Sequence, residues 1–176
     1  AGFAVAHGDA LVLVNNAAHD QRHDWSSVTP DYWDGRMAVN LKHAFFAIQA
    51  VAPAMVRAGR GSIINTGSIS WMIGTPHLPI YETAKAAMHG MTRAMAGELG
   101  RSGIRVNTVV PGAVITERQL ELWLTDKDLA EIRSSQAISK LIYPDDVAQM
   151  VLFLAAVDSS KITGQQFLVD GGWAHV

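Results

Sequence analysis

The sequence predicts an α/β fold, a doubly wound parallel sheet with helices on both faces. Three observations carry that prediction. The strand-like segments are short apolar runs without polar alternation: residues 10–14 (ALVLV), 62–66 (SIINT) and 104–110 (IRVNTVV). Strands covered on both faces lose the two-residue alternation, because neither side meets water. Long helical patterns separate them, as a parallel sheet requires. Finally, the runs end at Asn15-Asn16, Gly67-Ser68 and Pro111-Gly112, which places these residues at strand exits along one edge of the sheet.

In chain order, residues 10–14 read as a buried strand closed by Asn15-Asn16. Thr29-Pro30-Asp31 is a helix start, with Thr29 as N-cap and proline where its missing N–H costs nothing. A helix follows over 36–58, expected to kink at Pro53 and to end near Gly59. Residues 62–66 form the next strand, 80–100 a long helix stopped by Gly100, and 104–110 a strand broken by Pro111-Gly112. Residues 117–140 are amphipathic and polar, an expected mobile segment, and 113–140 are expected to cover a substrate. Pro144-Asp145-Asp146 opens another helix, with its acids at the positive end of the helix dipole. Residues 166–170 (QFLVD) form a last short strand before Gly171-Gly172.

The 176 residues are expected to form one domain, long enough for a core. Nearly half are apolar, 17% are charged, and the formal charge is −2 without any Lys/Arg run. That balance points to no nucleic-acid or membrane surface. Cysteine is absent, which excludes disulfides and thiol catalysis. The N-terminal stretch AGFAVAHGD has no basic region, and the first apolar run is too short to span a bilayer; a cytoplasmic location is expected. The seven histidines show no metal spacing. His19 and His23 are four apart, but in a loop context, so no metal is expected.

The chemistry centres on PHLPIYETAKAAMHG, residues 76–90. Tyr81 and Lys85 are one helical turn apart and leave the same face. Taken alone, they read as a helix-start aromatic and a solvated lysine. A tyrosine is a poor base at neutral pH, but a nearby ammonium favours its phenolate. Ser68, thirteen residues earlier, is a hydroxyl able to hold a substrate oxygen. Together these make a proton-transfer unit for alcohol and ketone interconversion, the reaction that nicotinamide cofactors serve. Asn40 sits mid-helix, where asparagine is unfavourable, and so is expected to have a partner. Asn107 reads as a buried structural amide, Met88, Met91 and Met95 as a buried or interface stripe, and Trp25 and Trp33 as packing residues.

The segments LVNNAA, VNLKHAFF, IINTGSIS, YETAKAAM, RVNTVVPGAVIT and ITGQQFLVDGGW resemble successive signatures of the short-chain dehydrogenase/reductase family, across essentially the whole chain. The resemblance implies a Rossmann-like fold and an NAD(P)-dependent oxidoreductase, with NAD or NADP as cofactor. Tyr81 would be the general acid/base and Ser68 would orient the substrate oxygen. Lys85 would hold the nicotinamide ribose and lower the tyrosine pKa. Asn40 would keep a water linking Lys85 to solvent. Asn15, Ala17, Pro111, Gly112, Val114 and Thr116 would line the cofactor. A closer likeness, in NNAAHDQRHDW and GSISWMIGTPHLPIYETAKA, is to the sugar-oxidising branch, the aldose 1-dehydrogenases. His19, Asp20, Trp71, His77, Gln119 and Trp123 are then candidates for the sugar site. Residues 36–58 and 80–100 resemble the helices through which the family forms homo-oligomers, dimers or tetramers.

The family's opening glycine-rich turn, TGxxxGIG, has no counterpart in this sequence. Its N-terminal strands are therefore expected to be truncated or absent, leaving an incomplete dinucleotide-binding domain with the flank of the first strand exposed. An alternative joins AGFAVAHGD to the family's second strand; Asp9 would then bind the adenine-ribose hydroxyls and favour NAD. Two other functions compete with sugar oxidation. One is reduction of a non-sugar ketone of acyl-carrier or steroid type; the other is a non-catalytic remnant acting through protein contacts.

Overall fold

The computed structural model describes residues 10–122 and 124–174. Four parallel strands form one sheet in the order β1 (Val12–Asn15), β2 (Gly61–Thr66), β3 (Ile104–Pro111) and β4 (Gln166–Val169). Helix α1 (Pro30–Ala58) joins β1 to β2; α2 (Ser70–Ile73) and α3 (Pro79–Leu99) join β2 to β3. Between β3 and β4 lie α4 (Glu117–Leu122), α5 (Asp126–Ser135) and α6 (Pro144–Ala155).

The missing alternation in β2 has a direct cause. Ile63 and Ile64 are neighbours, so the pleat sends them to opposite faces, and both are fully buried. Ile63 packs with Ile48, Ala52 and Met55 of α1 and Ala96 of α3. Ile64 packs with Val109 and with Leu154 of α6. Burying each such side chain stabilises the fold by about 1.5–3 kcal/mol. Strand β1 differs from the expectation of a strand buried on both faces. Leu13 packs on the α1 side, whereas Val12 and Val14 are 43% and 42% exposed. The reason is that α6 packs chiefly across β2, β3 and β4. The outer edge of β1 has no partner among the described residues.

Helix α1 starts as expected, with Thr29 Oγ1 accepting from Tyr32 N at 3.2 Å. It runs through Pro53 without interruption; its departure from α geometry is instead a π turn at Ala38–Lys42, which carries the buried Asn40. The end of α3 also differs. Gly100 continues into a 3₁₀ turn, and Gly103, at φ 76°, makes the reversal. Met88 is buried, and Met91 and Met95 pack on the α1 core, in line with a packing stripe. Trp25 and Trp33 do not pack inside: they are 78% and 40% exposed. By length and composition α1 is apolar enough to cross a bilayer. In the fold its Ile48, Ala52 and Met55 lie on the sheet while Phe45 and Phe46 stay exposed.

Two glycines in the left-handed region separate strain from collision. A Cβ on Gly59 (φ 65°) meets nothing, whereas one on Gly103 runs into the carbonyl oxygen of Gly59. Gly59→Ala is expected to cost about 1–2 kcal/mol, the left-handed penalty alone. Gly103→Ala adds a backbone clash and is expected to cost at least twice as much in denaturant unfolding; equal losses would contradict this packing.

Candidate active site

Helix α3 opens with Pro79 and buries a stripe four residues apart: Ile80, Ala84, Met88, Thr92 and Ala96. Lys85 follows Ala84 into that stripe and is only 2% exposed. Its Nζ donates to the carbonyl of Thr66, the last residue of β2, at 2.7 Å. This engages one of the three ammonium donors. Tyr81, one turn earlier, lies at the rim with its ring centroid 5.5 Å from that nitrogen. Ser68 sits on a loop that prolongs the ladder to β3: Gly67 N donates to Val109 O at 2.7 Å and Ile69 N to Pro111 O at 3.1 Å. The Ser68 oxygen accepts from Ser70 N at 3.2 Å, and its hydrogen bonding to Tyr81 favours the phenolate.

Burial nevertheless dominates the electrostatics. It pushes Tyr81 from 10.0 up to about 12; Ser68 opposes the shift and the negative charge of Asp20 adds to it. Burial pushes Lys85 from 10.5 down to about 8. The expected lowering of the tyrosine by Lys85 is therefore not what prevails here. The ammonium lies against the ring and bonds a carbonyl, while desolvation penalises the phenolate.

Ser68, Tyr81 and Lys85 line one cavity of about 790 Å³, together with Pro111, Gly112, Val114 and Thr116 from the β3 exit. Helices α4 and α5 form a further wall, to which Gln119 and Ile132 contribute. Thr116 caps α4, its Oγ1 accepting from Gln119 N at 3.2 Å.

Several expected site residues lie elsewhere. Asn15 is buried, and its Nδ2 donates to Asn65 Oδ1 of the paired strand at 2.8 Å; Asn16 lines the cavity instead. Ala17 is exposed and Ala18 takes its place in the lining. The cause is parity: the last strand residue turns its side chain across to β2, so the residues that reach the cavity are the alternate ones. His19 is held away from the cleft, with its ring Nδ1 2.9 Å from Arg36 Nη1. Trp71 and His77 are not in the lining, which their neighbours Ser70, Ile73, Pro76 and Leu78 supply. His77 has a left-handed φ of 66° and uses its carbonyl to accept from His23 N. Trp123 and Asp9 lie outside the described residues.

Asn40 has the expected partner, though it is a backbone. Its Oδ1 accepts from His19 N at 2.7 Å and its Nδ2 donates to His19 O at 3.1 Å. The side chain so bonded clamps the segment after β1. Asn107 is structural as expected, donating to Ile162 O and accepting from Gln165 N. Asp20 does line the cavity, where Arg118 and Gln119 of α4 bond it, each at 3.3 Å. Arg118 was not expected; no local signal marks a partner 98 residues away. Among the described residues no group of three or more His, Asp or Glu side chains is placed to hold a metal.

A family model described as enoyl-(acyl carrier protein) reductase matches residues 3–174. The chain belongs to the short-chain dehydrogenase/reductase family. It is 52% identical over 166 residues to a D-xylose 1-dehydrogenase of Caulobacter vibrioides, covering 94% of this chain and 66% of that protein. It is 46% identical to a probable galactose dehydrogenase of Rhizobium meliloti, covering 94% and 64%. The chain thus spans about two thirds of the length of these relatives. Among solved structures, a gluconate 5-dehydrogenase from Burkholderia cenocepacia, in complex with NADP and tartrate, matches with TM-score 0.92 and 30% identity, over 99% of this chain and 69% of that one.

The family implies a nicotinamide dinucleotide, and the donor set here fits its nicotinamide-ribose end. Lys85 keeps ammonium donors for vicinal hydroxyls, and Pro111 and Val114 offer an apolar wall. No glycine-rich strand-to-helix turn for a pyrophosphate occurs among the described residues.

The opposed pKa shifts carry a pH signature. Between pH 8 and 10.5 Lys85 binds fewer protons folded than unfolded, so it makes stability rise with pH through that window. Tyr81 acts oppositely only above its unfolded value of 10.0. Lys85→Met removes the first slope. Denaturant unfolding is expected to show wild type gaining on the variant between pH 8 and 10, and parallel profiles would contradict a buried, depressed lysine.

Proposed function

We propose that this chain carries the acid/base site of an NAD(P)-dependent oxidoreductase that oxidises an aldose at C1 to its lactone. The observation that supports the reaction class is the convergence of Ser68, Tyr81 and Lys85 on one cleft at the sheet's strand exits. The names of the relatives, D-xylose and galactose dehydrogenases at 52% and 46% identity, support the sugar.

A nicotinamide in this cleft supplies the hydride-accepting carbon and, when oxidised, a positive charge that favours the phenolate. Ser68 fixes the substrate oxygen: its side chain is held at the cleft by the bond its oxygen accepts from Ser70 N, and its O–H, which bonds Tyr81 before substrate arrives, donates to that oxygen. Tyr81 removes the C1 hydroxyl proton in oxidation and returns it to the carbonyl oxygen in the reverse direction. Lys85 fixes the ribose with its remaining donors and keeps a positive charge beside the tyrosine ring. Asn40 acts at a distance by fixing the backbone of residue 19, which leads into the cavity lining at Asp20. The tyrosine, held at about 12, is protonated at neutral pH, an acid suited to carbonyl reduction. The second reading, reduction of a non-sugar ketone by the same residues, uses that protonated form. A homo-oligomer belongs to the proposal, supported by the exposed Phe45 and Phe46 pair on α1.

The test uses the full-length protein, a panel of aldoses and non-sugar ketones, and both cofactors. Tyr81→Phe is expected to lower turnover about a thousandfold or more, within the usual range for a lost acid/base, while leaving the thermal midpoint unchanged. Turnover retained in Tyr81→Phe would end the mechanism; activity confined to non-sugar ketones would replace the aldose.

A further inference from the structure

Asp20 is the one acidic side chain that the strand exits themselves contribute to the cavity; Asp128 and Glu131 come from the α5 wall. Asp20 lies five residues beyond β1, on the segment that Asn40 clamps by both atoms of its amide. Its side chain is 30% exposed, so it is largely removed from water. It shares the cavity with Tyr81, and its negative charge adds to what disfavours the phenolate there. It is held by Arg118 Nη1 and Gln119 Nε2, each at 3.3 Å, the long end of the hydrogen-bond range. Arg118 itself is 53% exposed. Such half-exposed, loosely made pairs stabilise little, so exchanging them for another donor costs little.

We infer that Asp20 is a specificity residue: its carboxylate accepts a hydrogen bond from a substrate hydroxyl beside the reacting carbon, in exchange for its contacts with Arg118 and Gln119. The inference rests on the aldose reading and deepens it. A carboxylate lining the same cavity as the phenol that meets the reacting oxygen can face another substituent of the same molecule. A hydroxyl there makes a charge-assisted bond. A substrate with hydrogen at that position drives water out of the cleft and leaves the carboxylate less well bonded, which is how a polar site rejects an analogue lacking a hydroxyl. The cleft thus favours a substrate with a hydroxyl beside the reacting carbon over one with hydrogen there.

The experiment compares the full-length wild type with the isosteric Asp20→Asn, on a parent aldose and its monodeoxy analogues, foremost the 2-deoxy sugar. The readout is the ratio of kcat/KM for parent over analogue within each protein, which does not depend on how much of a variant is folded. Wild type is expected to prefer the parent by about tenfold or more, the worth of one charge-assisted bond. Asp20→Asn is expected to lose most of that preference, chiefly through KM. An unchanged ratio for every monodeoxy analogue overturns the role of Asp20 while leaving the aldose reading intact. A wild type that turns over non-sugar ketones and no aldose overturns the aldose reading itself, and this inference with it.

Discussion

A buried ammonium governs this structure. Lys85 lies almost wholly out of water, bonded to the Thr66 carbonyl at the end of β2. Holding a cation there costs several kcal/mol even after relaxation, by the general cost of burying an unpaired charge (about that order). The helix that carries it is fixed against slipping. Two turns beyond Lys85, the Thr92 hydroxyl accepts from Asn65 Nδ2 at 2.8 Å and shares a hydrogen bond with Thr108 at 2.7 Å. Asn65 in turn accepts from Asn15, so a buried polar chain crosses β1, β2, α3 and β3. Each member is satisfied by the next, as a buried network must be to stabilise rather than weaken a core. The register of α3 on the sheet follows from it, and with that register the positions of Tyr81 and Lys85 at the strand exits.

The rest of the site is built from departures from regular structure. The ladder between β2 and β3 continues past the strand through Gly67 and Ile69, which delivers Ser68 to the cleft on backbone bonds rather than on a free loop. Gly67 leaves little room there, since an added Cβ would lie 3.1 Å from the Thr108 methyl. The π turn in α1 buries Asn40 where it can face the chain leaving β1. That clamp is the buried anchor of the segment that carries Asp20. An irregular helix thus sets the position of a carboxylate on a different element.

What could be read beforehand was what depends on nearby residues. Apolar runs and caps located four strands and the main helices because each signal spans a few positions. The four-residue spacing of Tyr81 and Lys85, and the presence of Ser68, Pro111, Gly112, Val114 and Thr116 at strand exits, survived into one cavity for the same reason. Asn15 and Asn16 show the limit. They are chemically identical neighbours, and which one faces the cavity turns on the residue at which the strand ends. His19 and His77 lie outside the cavity lining because loop backbones, such as the left-handed turn at His77, decide their direction, and Trp71 lies outside it on the short helix α2. The pair of Asp20 and Arg118 joins segments 98 residues apart, and nothing local encodes it. The exposed face of β1 depends on how far α6 reaches across the sheet, also a matter of tertiary packing.

The opposed shifts of Tyr81 and Lys85 have one cause, and it explains how the site behaves before chemistry. Burial penalises whichever form is charged, so it raises the phenol and lowers the ammonium. At neutral pH the site therefore holds a protonated tyrosine beside an ammonium that gives up its proton more readily than a free lysine. A site in that state holds its proton firmly. Asp20 strengthens the hold, because its negative charge disfavours the phenolate further. In the proposed mechanism, proton removal by Tyr81 is then helped by positive charge arriving in the cleft, or by negative charge there being bonded away. A substrate hydroxyl bonded to Asp20 disperses part of that negative charge, and a cationic ring near Tyr81 favours the phenolate outright. Both act on the same phenol from the same cavity, so selection of the ligand and release of the proton are coupled through one electrostatic balance.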